Sequence, residues 1–288
     1  MNVGSYLWLG LVALFFALLV VAFAYLTLRR SLSRSRRSPG VLFGALRRLD
    51  GWLRDAAPRM HRMLRRRLTL REWHGLALTL AAAMFFGLVW LFTTIAVGWT
   101  SRDDLYQFDQ AVHAGLAGVS SDWAVQFFRL ATHLGDGLTV ALVAAGVAAF
   151  LLYHRDGWRA AALGVVVGLG QGVLVGLKWA FARARPGGNL VEAGFYSFPS
   201  GHAFSSMVLY GFIIVLVWRY VRREAVRVAA TILLVLVIAT VGLSRVALSV
   251  HWASDVMGGF TLGLAWLVCG LTATRAAQAY RGGRAGRC

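Results

Sequence analysis

Apolar and polar positions alternate along this chain in long blocks. Seven stretches, residues 6–28, 74–99, 138–153, 160–180, 203–218, 228–243 and 252–271, are almost free of charge. Blocks of this kind predict helices that cross a bilayer core of about 30 Å. The expected fold is therefore all-α: a polytopic membrane helical bundle, with six spans between residues 74 and 274 and one extra N-terminal transmembrane helix. No internal repeat or soluble domain interrupts the pattern. Four segments follow: an anchor at 1–28, an Arg-rich linker at 29–73, the membrane domain at 74–274 and a basic tail at 275–288.

Composition agrees with the pattern. At 58% hydrophobic residues, 15% charged residues and a mean hydropathy of +0.64, the chain is too apolar for a soluble globule, in which about a quarter of residues are charged. A net charge of +18 raises the possibility of nucleic acid. The placement of that charge removes it, because the arginines sit in loops between apolar blocks as the positive-inside rule requires. No nucleic-acid partner is expected. Cys269 lies inside an apolar block and Cys288 at the end, so neither is placed for a disulfide. No Cys/His spacing resembles a metal site, and no cofactor is expected.

Residues 6–28 lack the basic leader and small-residue cleavage site of a secretory signal. Arg29-Arg30 follows instead, which predicts an anchor with its N-terminus outside. Residues 29–73 hold fourteen arginines against Asp50, Asp55 and Glu72. Leu42, Leu46, Leu49 and Leu53 recur there at roughly helical spacing. The pattern fits an amphipathic helix drawn to anionic headgroups on the cytoplasmic leaflet, and equally a solvated basic linker.

Arginine placement then fixes the remaining loops without reference to any motif. The turns at 154–159 and 219–227 and the C-terminal tail fall inside, and those at 100–136, 181–200 and 244–251 outside. The reading is a multi-pass protein of the inner (plasma) membrane with a cytoplasmic C-terminus. Within the first outer loop, Trp123 to Leu134 reads as an amphipathic stretch along the surface, and Asp136 as the cap of the following span. Glycines at 164, 168, 170, 172 and 176 allow close packing of the 160–180 span.

Three polar clusters stand at the ends of apolar blocks on this outer side. Lys178 is the only lysine in the chain, and Arg185-Pro186 follows it. On a continuing helix the two cations would share a face until Pro186 stops it, giving a point charge and a bidentate fork for phosphate oxygens. A snorkelling pair at a helix end is the plainer reading of that cluster alone. Pro199-Ser200-Gly201-His202 precedes an apolar helix, which Ser200 can cap. Gly201 admits close backbone approach, the first-turn amides suit an oxyanion, and His202 suits proton exchange. By itself this could be an ordinary cap. In the third cluster, Ser244-Arg245 precedes His251 and Asp255. Asp255 is one helical turn from His251 and can hold one ring nitrogen, leaving the other as a nucleophile. An Asp inside an apolar span is costly unless partnered. The alternative is an ion pair that only fixes helix packing.

In this order and on one side, the clusters resemble the type 2 phosphatidic acid phosphatase family, whose superfamily includes vanadium haloperoxidases. The family pattern is K-x6-R-P, P-S-G-H and S-R-x5-H-x3-D, and the chain matches all of it within about residues 74–274. The resemblance implies His251 as nucleophile, Asp255 as its orienting partner and His202 as the proton donor to the leaving oxygen. It implies that Lys178, Arg185, Ser200, Gly201 and Arg245 bind phosphate without a metal. It implies a lipid phosphate as substrate, with undecaprenyl diphosphate expected first, then phosphatidylglycerophosphate or phosphatidic acid. Rival classes are a lipid phosphotransferase with the same phosphohistidine, and a catalytically silent membrane scaffold. A haloperoxidase is disfavoured by seven spans, and a transporter by ionisable groups gathered at one face. The residues carry no signal for oligomeric state.

Overall fold

The computed structural model describes residues 73–285, apart from 102–103, 118–120, 189 and 192–193, together with residues 55 and 58. The expected anchor at 6–28, the amphipathic helix at 41–70 and the last three residues of the tail lie outside the described residues. The chain divides into two compact units, residues 1–84 and 85–288.

The described residues form eight α-helices: α1 (Trp73–Thr100), α2 (Asp104–Ala117), α3 (Asp122–Thr132), α4 (Gly137–Tyr153), α5 (Gly157–Phe181), α6 (Gly201–Tyr220), α7 (Glu224–Ala247) and α8 (Ala253–Ala285). The fold is all-α, as the block pattern predicted. Helices α1, α5, α6, α7 and α8 are each long and apolar enough to cross a membrane. The third expected span differs. Helix α4 has 17 residues and meets that standard only together with α3, from which it is bent by 50° across a single 3-10 turn, His133–Gly135. The 100–136 segment is also more ordered than expected, since it holds α2 as well as α3. Helix α8 runs past the predicted end of its span into the basic tail.

Helix α6 is central and packs on α4, α5, α7 and α8. Leu151, Leu163, Leu209, Phe212, Ile238 and Leu267 meet there in the main core. Outward-facing Val165, Leu169, Ile232, Leu233 and Leu236 stay exposed. Apolar exposure around a helical bundle is what a lipid solvent allows and water does not. The protein is a multi-pass membrane protein. A second aromatic cluster fixes one end of the bundle. Phe198 is fully buried, stacked on Phe92 at 5.5 Å and edge-on to Phe181 at 5.0 Å. This pins the turn that feeds α6, whose Phe198–Pro199 bond is cis. Gly259 on α8 completes the seat, because a Cβ there would stand 2.6 Å from the Ser200 carbonyl oxygen.

Candidate active site

All three clusters meet at this end of the bundle, where α5 and α7 finish and α6 and α8 begin. Lys178 is in the last turn of α5. Ala182 then turns left-handed (φ 43°), and its N–H returns to the Lys178 carbonyl. A left-handed residue ends a helix by satisfying a late carbonyl, whatever follows. The helix therefore stops before Arg185, not at Pro186, and Lys178 and Arg185 do not share a helical face. The Lys178 ammonium donates to the carbonyls of Tyr196 (2.7 Å) and Ser197 (3.4 Å). Arg185 reaches back across the loop instead, donating to the carbonyls of Gly194 (2.8 Å), Phe195 (2.9 Å) and Val250 (2.5 Å).

The five residues between Arg245 and His251 have a physical reason. Helix α7 ends at Ala247, and Ser249 is left-handed (φ 55°). The chain then doubles back, so that the N–H groups of Val250 and His251 both donate to the Arg245 carbonyl, at 3.2 and 3.1 Å. The segment is a tight return and not one helix, and His251 lies before α8 begins. Ser244 stays with its own helix, donating to the Val241 carbonyl at 2.6 Å.

His251 is buried. Its Nδ1 lies 3.3 Å from Asp255 Oδ2, and its Nε2 lies 3.2 Å from an Arg185 Nη. A guanidinium only donates, so Nε2 accepts and carries the lone pair. The proton is then on Nδ1, facing the carboxylate. Burial, helped by the positive charges of Arg185 and Lys178 and opposed by Asp255, pushes the His251 pKa down to about 3. The ring is therefore neutral near pH 7, with its lone pair on Nε2.

Asp255, the third residue of α8, is itself held on every side. Its Oδ2 accepts from the Trp252 N–H at 2.9 Å and, in a short contact, from the Ser197 hydroxyl. Its Oδ1 accepts from Arg183 at 2.6 Å. Arg183 is buried between Trp99 and Trp252 and also pairs with Asp109 of α2 at 2.7 Å. Asp109 in turn accepts from the N–H (2.8 Å) and hydroxyl (2.5 Å) of Ser254. Sequence reasoning missed Arg183, Asp109, Ser197 and Ser254. Arg183 stood in the spacer of a motif, and Asp109 looked like one more acid in an outer loop.

Ser200 occupies the N-cap position of α6, yet its hydroxyl makes no capping bond. The oxygen is buried with no protein partner among the described residues. Its neighbour Gly201 has a bare Cα, and a Cβ there would lie 3.3 Å from Leu174 and 3.9 Å from Lys178 Cε. Asp136 likewise precedes α4 without capping it. Its carboxylate goes to two histidines, His202 Nε2 at 2.6 Å and His133 Nδ1 at 2.5 Å. Gly135 permits this approach: a Cβ would stand 3.2 Å from the His202 ring and 2.5 Å from Val241. Arg245 donates to the Thr132 hydroxyl at 2.7 Å, while its buried Nε has no partner among the described residues. A cavity of about 510 Å³ opens beside these groups, lined by Arg129, Thr132, His133, Asp136, His202 and Arg245.

Charge balance distinguishes the cations. Arg183 is neutralised by two carboxylates. Lys178, Arg185 and Arg245 are near enough to repel one another and form no ion pair with a carboxylate among the described residues. Three unpaired cations, a buried hydroxyl without a partner and a helix N-terminus make a place for an anion.

Comparison with known proteins agrees. Residues 159–278 match the family model described as the PAP2 superfamily. The phosphatidylglycerophosphatase B of Bacillus subtilis (strain 168) is 28% identical over 182 residues, covering 61% of this chain and 88% of the relative. The crystal structure of a transmembrane PAP2-type phosphatidylglycerolphosphate phosphatase from Bacillus subtilis superposes with a TM-score of 0.61 at 25% identity, over 65% of this chain and 93% of that one. Residues 159–278, which match the PAP2 superfamily model, hold all eight candidate site residues from Lys178 to Asp255.

Proposed function

We propose that the protein hydrolyses a terminal phosphate from a membrane lipid through a phosphohistidine on His251. The observation that carries this reading is the pairing of His251 with its surroundings. One ring nitrogen faces Asp255, and the other presents a lone pair beside Arg185 in a cluster of three unpaired cations.

The His251 Nε2 lone pair attacks phosphorus as the bond to the leaving oxygen breaks in line. The positive charge left on the ring is balanced by Asp255, which takes the Nδ1 hydrogen bond. Lys178, Arg185 and Arg245, with the Ser200 hydroxyl and Gly201 amide, stabilise the equatorial oxygens. Since Nε2 of His202 donates to Asp136, the ring acts as the imidazolium, and its Nδ1 proton passes to the leaving oxygen. The same nitrogen then takes a proton from the water that attacks the phosphohistidine, and orthophosphate departs. The cations do the neutralisation that a metal does in other phosphatases, so activity is expected to persist in EDTA and to be blocked by vanadate.

The likeness to a phosphatidylglycerophosphate phosphatase of Bacillus subtilis, in sequence and in structure, moves that lipid ahead of undecaprenyl diphosphate as the first substrate to test. Loop arginines support an inner-membrane protein with this end of the bundle outside, where a headgroup reaches water while its tail stays in lipid. The deciding experiment measures phosphate release by detergent-purified full-length protein in EDTA. Phosphatidylglycerophosphate, undecaprenyl diphosphate and phosphatidic acid are supplied in turn, with His251→Ala as control. Release lost in the variant supports the reading. No release from any of the three by folded protein sinks it and favours the phosphotransferase, whose turnover would depend on an acceptor lipid.

A further inference from the structure

The cavity beside His202 has a composition that removal of one phosphate does not need. It includes His202 and Arg245 but neither His251 nor Lys178. In-line displacement sends the leaving oxygen away from His251 and toward His202. Whatever that oxygen is attached to enters this cavity, which is within the usual size range of ligand pockets.

Its wall is cationic. Arg129 of α3 is exposed to the cavity, and one of its nitrogens donates to the Leu190 carbonyl at 2.7 Å, so the guanidinium is held in place. It has no carboxylate partner among the described residues. Arg245 lines the same space, and its buried Nε has no partner among the described residues. The one carboxylate present, Asp136, has each oxygen taken by a histidine. Two guanidinium groups against one shared carboxylate suit an anion, whereas a neutral alcohol leaving group would leave Arg129 idle.

We propose that Arg129, together with the outward side of Arg245, forms a second anion subsite for a phosphate on the leaving-group side. Lipids with two phosphates, joined directly or through a short glycerol bridge, are then preferred over lipids with one. This rests on the hydrolase reading above and deepens it.

The test compares wild type with Arg129→Gln and Arg129→Lys on phosphatidylglycerophosphate, a polyprenyl diphosphate and phosphatidic acid. Expected for Arg129→Gln is a loss in kcat/KM of about tenfold or more on the two-phosphate lipids, chiefly through KM, and under about threefold on phosphatidic acid. Arg129→Lys should recover part of it. A loss on only one two-phosphate lipid identifies which spacing the subsite fits. Inorganic pyrophosphate should inhibit wild type more tightly than orthophosphate, and the gap should narrow in Arg129→Gln. Turnover of phosphatidic acid by the same preparation reports folding. Equal losses on all three lipids would mean that Arg129 only pins the loop, and would overturn the subsite alone. No release by folded wild type overturns the hydrolase reading and the subsite with it.

Discussion

The two histidines of the site are held by walls of opposite character. Around His251 the wall is dry: side chains of His251, Asp255 and Arg183 are 2%, 0% and 5% exposed. Around His202 it is open, with His202 23%, Asp136 35% and His133 66% exposed. Both rings lean on a carboxylate, but only His251 leans on one locked by an arginine, a serine and a backbone amide. The difference fits the chemistry proposed for them. A nucleophile gains from a fixed tautomer and a desolvated lone pair, and the phosphoenzyme must form at one geometry. A group that meets a leaving oxygen and then a water needs room for each in turn. The protein spends its rigidity on one wall and its access on the other.

Breaking the dry wall at its centre should have the largest effect. His251→Ala is expected to lower phosphate release by about a thousandfold or more, with folding retained, measured as initial rates on any accepted lipid. Removing the lock rather than the nucleophile comes next. Arg183→Gln leaves Asp109 and Asp255 buried without their cation, which should cost about 3–5 kcal/mol of stability. The lowered midpoint is read by thermal unfolding in detergent, and an unchanged midpoint would show that the triad contributes nothing net. On the open wall, Asp136→Asn should keep the fold and substrate KM while kcat drops by about 10–100-fold. An effect on KM alone would mean that Asp136 serves binding and not His202.

The pH dependence separates the walls further. The His251 pKa is about 3 in the folded protein against 6.5 unperturbed. Below pH 6.5 the unfolded chain takes up a proton that the folded chain refuses. Stability is thus lost as pH falls from about 6.5 toward 3, and is untouched above that window. Thermal midpoints from pH 7.5 down to 5 should fall for wild type and fall less steeply for His251→Gln. The smallest expected effect is at the rim, where His133→Gln should change kcat only a few-fold, since Asp136 keeps its bond to His202.

The sequence carried the bundle and the eight candidate site residues because both are written in patterns: block length for the helices, fixed spacing for the clusters. What it did not carry was support from elsewhere in the chain. Ala182 and Ser249 end helices by turning left-handed, yet neither is glycine, so nothing in the residue types announced where α5 or α7 would stop. Ser200 and Asp136 sit at N-cap positions and read as caps, while their side chains serve the site or the histidines. Asp109 read only as one more acid in an outer loop. It is 145 residues from Ser254, which it braces, and no local pattern spans that distance.

The 50° elbow between α3 and α4 has a consequence for how such a protein diversifies. The groups proposed to handle the transferred phosphate lie between residues 178 and 255, inside the segment that matches the superfamily. Of the residues lining the cavity proposed for the leaving group, Arg129, Thr132, His133 and Asp136 come from the elbow and the helix before it, upstream of that segment. A lineage can therefore vary the elbow and exchange one lipid for another without reopening the machinery that cleaves the bond. On this proposal, much of substrate choice is carried on a stretch of chain separate from the nucleophile.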